Sequence, residues 1–166
     1  MIPVKVLAVR YLANASKNLC AGLGVPEGYT SLGMLTTDCD DVSYAALDEA
    51  TKAAAVEVVY GRSLYAGAAN ASTRLAGEVI GILAARDPTQ VQSGLRAALA
   101  VLDRLGFEPA NGAGDIVYLA HCVSASGSYL SKAAGVSPGT ALAYLIAPPV
   151  EALEGLDQAL KAAEVQ

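Results

Sequence analysis

The chain says the same thing twice, and that repetition limits its folds more than any other feature. Asp48-Glu49-Ala50-Thr51-Lys52-Ala53-Ala54 returns as Asp157-Gln158-Ala159-Leu160-Lys161-Ala162-Ala163, and Gly24-Val25-Pro26 returns as Gly135-Val136-Ser137-Pro138. Alanine-rich helices resemble one another, so each match alone is weak. A shared order of strand, helix, Gly-Val turn, strand and helix at a nearly constant offset of about 110 residues marks two copies of one structural unit.

Periodicity fills in that order. Val4, Val6, Ala8 and Arg10 alternate as a strand, and Asn14 is the expected N-cap of a helix running to Leu23, which Gly24-Val25-Pro26 stops. A strand over Thr30–Thr37 leads into Asp38-Cys39-Asp40-Asp41, then a helix over 41–54 and a valine-rich strand over 56–60. The small-residue loop 61–71 and a strand over 75–84 containing Glu78 come next. Asp87-Pro88 opens a helix whose apolar positions Val91, Leu95, Ala98, Leu102 and Leu105 recur at helical spacing, with Gly106 at its end. The other unit then reads as a strand over 116–123, a short helix over 129–134, a strand over 142–147 and a helix opened by Pro148-Pro149. The expectation is an α/β (α+β) chain of two units, 1–106 and 107–166. Unit 107–166 is expected to be incomplete, because the first continues for about fifty residues past the point where this one ends. Its last strand edge would be left open.

Charge narrows the partners. A net charge of −5, a pI near 4.7 and no cluster of Lys or Arg argue against nucleic acid and anionic membranes. The longest uncharged stretch, Ala133–Val150, is broken by Ser137-Pro138-Gly139 and Pro148-Pro149, so it is not a spanning helix. Nothing near Met1 reads as a signal peptide, and a cytoplasmic protein is expected. With 54% apolar and 16% charged residues, the chain is expected to bury surface in an assembly as well as in its own core.

Catalytic signals are few. Cys20, Cys39 and Cys122 lack metal-ligand spacing and read as reduced, packed thiols. His121 is the single histidine, lying in an apolar strand, so no nucleophile and base can be assembled without it. Gly22-Leu23-Gly24 with Gly28 has the wrong spacing for a dinucleotide fingerprint. No enzyme, metal or required cofactor is expected.

Three features could carry function. Three carboxylates in four residues, Asp38, Asp40 and Asp41, either cap the following helix or hold a cation or amine; capping needs only one. Glu78 inside an apolar strand faces solvent, pairs with a base such as Arg74, or lines a polar hole. The loop around Tyr65, with Arg62, Ser63 and Gly67, is either a mobile surface connection or a crowd of small residues at a symmetry axis with an aromatic plug.

The stretches TSLGMLTTDCDDVSYAALDEATKAAAVEVVYGRSLYAGAANASTRLAGEVIGILA, CVSASGSYLSKAAG and LAYLIAPPVEALEGLDQALKAA closely resemble the EutL family, the shell proteins of ethanolamine-utilisation bacterial microcompartments. The resemblance implies tandem, circularly permuted BMC domains of ferredoxin-like build. It implies a homotrimer forming a pseudohexameric tile beside other microcompartment shell proteins, with a gated central pore and smaller ethanolamine-binding pores. It further assigns ethanolamine contacts to Asp40, Asp41, Glu78 and Phe107, and a pore role to the loop holding Arg62, Ser63, Tyr65 and Gly67. Such a site makes chemical sense, since paired carboxylates bind an ammonium and an aromatic face adds a cation-π contribution. Cobalamin binding is implied as a possibility, without a residue to place it on, and the family pattern continues beyond Gln166. The rival reading from the residues is a small-ligand-sensing α/β regulatory domain in which the acidic site is the whole function.

Overall fold

In the computed structural model, residues 1–63 and 79–164 are described, and their elements follow the sequence pattern closely. In chain order they are β1 (Ile2–Pro3), β2 (Val6–Leu12), α1 (Lys17–Gly22), β3 (Ser31–Thr37), α2 (Asp40–Ala53), β4 (Glu57–Ser63) and β5 (Val79–Ala85). There follow α3 (Pro88–Leu102), β6 (Gly106–Pro109), β7 (Val117–Val123), α4 (Ser128–Ala134), β8 (Leu142–Ile146) and α5 (Pro149–Ala162). Two antiparallel sheets result, in the orders β2-β3-β5-β4 and β1-β6-β7-β8.

The first sheet is built to receive helices on one face. Glycine at two strand positions makes room for their side chains: a Cβ at Gly33 of β3 would lie 2.6 Å from Val91 and 2.8 Å from Leu95 of α3. One at Gly81 of β5 would lie 2.7 Å from Leu47 of α2. Both helices therefore settle deeply into the sheet, and Val42, Ala46, Leu47, Leu83, Val91, Leu95 and Ala98 form a continuous core. That core extends to Phe107 and Leu119 of the other sheet, so the two sheets share one apolar interior.

The repeat is realised element by element. β2 and β7, α1 and α4, and β3 and β8 begin 111 positions apart, while α2 and α5 begin 109 apart. The turns repeat as well: Gly24 and Gly28 take left-handed φ of 65° and 82°, and their counterparts Gly135 and Gly139 take 70° and 89°. Only glycine enters that region without strain, so the two units carry the same punctuation. Within the chain the units meet through Asp48 of α2, which is 1% exposed. Its carboxylate accepts the N–H groups of Gly127 (2.7 Å) and Leu130 (2.8 Å) at the start of α4.

Four expectations need correction. The N-cap of α1 is Ser16, whose hydroxyl accepts from the Leu19 N–H, and not Asn14. Helix α3 stops at Leu102, and Gly106 instead opens β6, because a Cβ there would lie 2.2 Å from the Ile2 carbonyl oxygen of the paired strand. Strand β1 leaves the first unit altogether and pairs with β6, Ile2 opposite Phe107. Finally, Gly61, Arg62 and Ser63 are strand and not loop: they continue the β4 ladder opposite Gly81, Ile80 and Val79. Among the described residues no helix is long and apolar enough to cross a membrane.

Candidate functional site

The site starts where β3 runs into α2. Thr37, the last residue of β3, and Ser43, in the first turns of α2, are fully buried, and their hydroxyls lie 2.6 Å apart. Both reach the Cys39 carbonyl, at 2.9 and 2.7 Å, and the Thr37 hydroxyl accepts the Cys39 N–H at 3.2 Å. Cys39 is the N-cap and supplies no side-chain cap. Buried hydroxyls thus anchor the helix start at Cys39, and Asp40 is the carboxylate that bonds a first-turn amide.

Each aspartate takes a different position. Asp38 turns back to β2, accepting the Lys5 N–H at 2.8 Å. Asp40 accepts the N–H of Asp41 at 3.0 Å, and both lie half-buried in the first turn of α2, where the helix dipole favours negative charge. Among the described residues no ion pair reaches either of these two carboxylates. Burial, reinforced by the adjacent Asp40 charge, pushes the Asp41 carboxyl up to about 6, with the Tyr144 hydroxyl pulling the other way. Tyr144, from β8 of unit 107–166, also donates to the Asp41 carbonyl at 3.2 Å. Burial and the two aspartates raise its own phenol, which stays a neutral donor. Cys39 below them is pushed up to about 12 by burial, an unreactive thiol.

Another tyrosine carries the site to β4. Tyr44 follows Asp40 and Asp41 on the same face of α2, and its hydroxyl accepts the Ser63 N–H at 3.1 Å. Burial and then Asp40 raise its pKa. Tyr129 of α4 packs against it with ring centroids 6.2 Å apart, and Tyr129 reaches over Gly61, where a Cβ would come within 2.5 Å of its hydroxyl. Asp40, Asp41, Tyr44, Ser63 and Tyr144 are therefore one connected group at the junction of the two units. It joins an acidic, partly desolvated helix start to the end of β4, and can favour a small cation that donates hydrogen bonds.

Of the residues singled out from sequence, Asp40, Asp41 and Ser63 come together. Arg62 is exposed, with its guanidinium 5.7 Å from the Tyr60 ring centre. Phe107 is 3% exposed, in the core cluster that also holds Cys39 and Val42, and offers no open ring face in the single chain. Tyr65, Gly67 and Glu78 lie outside the described residues. His121 sits half-buried on β7, its pKa lowered by burial and then by Arg104 and Lys52. No cluster of His, Cys, Asp and Glu among the described residues could hold a metal ion. Sequence reasoning missed Tyr44, whose spacing from Asp40 and Asp41 could have revealed it, and Tyr144, which comes from a hundred residues away with no local signal.

Comparison with known proteins fits this architecture. The BMC-domain family model matches residues 31–109. The bacterial microcompartment shell protein EutL of Clostridium perfringens is 57% identical over 167 aligned positions, covering 100% of this chain and 77% of that protein. The EutL of Escherichia coli K12 is 48% identical, covering 100% and 76%. The crystal structure of ethanolamine utilization protein EutL from Leptotrichia buccalis has a TM-score of 0.89 at 54% identity, over 98% of this chain and 76% of that one. The trimeric microcompartment shell protein PduB, 20% identical with a TM-score of 0.75 over 95% and 68%, shares the fold alone. Identity near one half along the whole chain, on the same fold, is decisive: the chain belongs to the EutL family of bacterial microcompartment shell proteins, whose place is the compartment shell and whose role is structural and not catalytic.

Proposed function

We propose that this chain forms trimeric, pseudohexameric tiles of an ethanolamine-utilisation shell, each copy contributing two units, 1–106 and 107–166, and binding ethanolamine at the acidic junction between them. The observation that carries the reading is Asp41, half-buried beside Asp40, its pKa raised to about 6 and no cation paired with it among the described residues. Ethanolamine at neutral pH is a small ammonium with a hydroxyl. Its charge relieves the repulsion between the two carboxylates through charge-assisted hydrogen bonds, and its hydroxyl suits the tyrosine-lined side. The family resemblance assigns Glu78 to the same ligand as a third carboxylate, and Phe107 as a further contact.

The chain segment holding Arg62, Ser63, Tyr65 and Gly67 is the central-pore element. What supports that role is that Arg62 and Ser63 form the end of β4, tied to the acidic group through Tyr44 and Ser63. Calorimetric titration of ethanolamine at pH 8 tests the binding site. Wild type binds, and Asp41→Asn weakens binding by about tenfold or more, roughly 1.4 kcal/mol. Equal heats from both proteins would remove the acidic junction as the site.

A further inference from the structure

Unit 107–166 grips helix α2 at two points, Asp48 and Asp41, which lie about two helical turns apart. At the first point the buried Asp48 carboxylate accepts the N–H groups of Gly127 and Leu130. Beside it Lys52 donates to the Ala125 carbonyl at 3.1 Å, and the Thr51 hydroxyl accepts the Ser128 N–H at 3.0 Å. Helix α4, whose N-cap Gly127 has no side chain to offer, is thus capped from the other unit. At the second point the contact differs in kind. Both partners are half-buried, and the Tyr144 hydroxyl donates to the Asp41 carbonyl at 3.2 Å and bonds its carboxylate. Among the described residues, Tyr144 supplies the donor by which unit 107–166 meets the acidic pair.

We infer that Tyr144 is the positioning residue of the acidic site: its hydroxyl holds Asp41 as a carboxylate, so that the first unit gains its cation-binding form from the docking of unit 107–166. The inference rests on the ethanolamine reading of that junction and adds what controls it. Burial and the Asp40 charge both disfavour ionisation of Asp41, and the phenol donating to it is the described interaction that opposes them. The other titratable groups facing Asp41 bring no positive charge. Asp40 and Tyr44 on α2 and Cys39 at its start are all acids, and burial keeps the last two neutral. His121, opposite Tyr144 in the ladder of β7 and β8, answers instead to Arg104, Lys52 and Glu49. Binding an ammonium needs the ionised carboxylate. A hydroxyl from a distant part of the sequence therefore sets the pH above which the site is ready. The Asp48 grip keeps the junction seated when that hydroxyl alone is removed, which separates an effect on the site from one on folding.

The test is Tyr144→Phe in the full chain, which removes the hydroxyl and keeps the ring. The carbon-13 signal of the Asp41 carboxyl, assigned by its loss in Asp41→Asn, reports the titration without ligand, and calorimetry with ethanolamine reports the site. In Tyr144→Phe the carboxyl midpoint should rise from about 6 by about half a pH unit to one. Ethanolamine affinity should then be about two- to fivefold weaker at pH 6, from the smaller ionised fraction, and unchanged at pH 8. Replacing Tyr144 by 3-fluorotyrosine, a more acidic phenol of nearly the same shape, should lower the midpoint, and this variant decides the matter if the phenylalanine chain does not fold. An unchanged midpoint, or affinity lost equally at pH 6 and pH 8, overturns the inference. A wild type that binds no ethanolamine overturns the reading of the site, and the carboxyl titration alone then decides the part played by Tyr144.

Discussion

At the scale of single residues, Asp41 is the sensitive point. With its pKa raised to about 6, the folded chain keeps a proton that the unfolded chain has released. Between the ordinary carboxylate range and about pH 6, stability therefore falls as pH rises, and Asp41→Asn should abolish that slope and leave a chain more stable than wild type at pH 8. Denaturant titrations from pH 4 to 8 check both. Ethanolamine affinity should run the other way, rising as pH passes through about 6 and the carboxylate forms; a flat affinity between pH 5 and 8 would separate Asp41 from binding. The acidic pair itself was legible, because three carboxylates exceed what a helix cap needs. What the letters did not show was who caps the helix. Thr37 and Ser43 are six apart and unremarkable in sequence, and only burial turns their hydroxyls into the anchor.

Among elements, α2 and α5 make a controlled comparison, being one sequence pattern in two environments. Leu47 of α2 is fully buried over Gly81, whereas its counterpart Leu156 on α5 is 52% exposed, in an apolar stripe with Val150, Leu153 and Leu160. Leu47→Ala should cost about 2 to 5 kcal/mol by leaving a cavity, and Leu156→Ala in this chain should stay within about 0.5 kcal/mol. Denaturation of the two variants side by side measures the difference, and equal losses would mean that α5 is covered. Long periodic elements were readable to within about three residues. The short ones were not: β1 has two residues and β6 four, too few for alternation to register. Their pairing is decided by a backbone approach at Gly106 that leaves no trace in composition. Strand β4 was read short because Gly61-Arg62-Ser63 has the chemistry of a turn, while its partner β5 simply continues the ladder.

For the whole molecule, the repeat was the most legible property and foretold the recurring order of strand, helix, strand and helix, yet it concealed how the two copies differ. Asp40 and Asp41 of α2 correspond to Pro149 and Val150 of α5, and Tyr144 of β8 corresponds to Gly33 of β3. The acidic junction therefore has no twin within the repeat. Ethanolamine should bind with a stoichiometry of one per chain, three per proposed trimer, and a calorimetric value near two would contradict this asymmetry. The helix start held by Thr37 and Ser43 gives that asymmetry its deeper consequence. Since buried hydroxyls hold the start of α2 at Cys39, one half of the duplicated chain is free to change its acidic surface while the other keeps its form. A ring of six identical units must alter all six openings at once; a ring of fused pairs can specialise every other one.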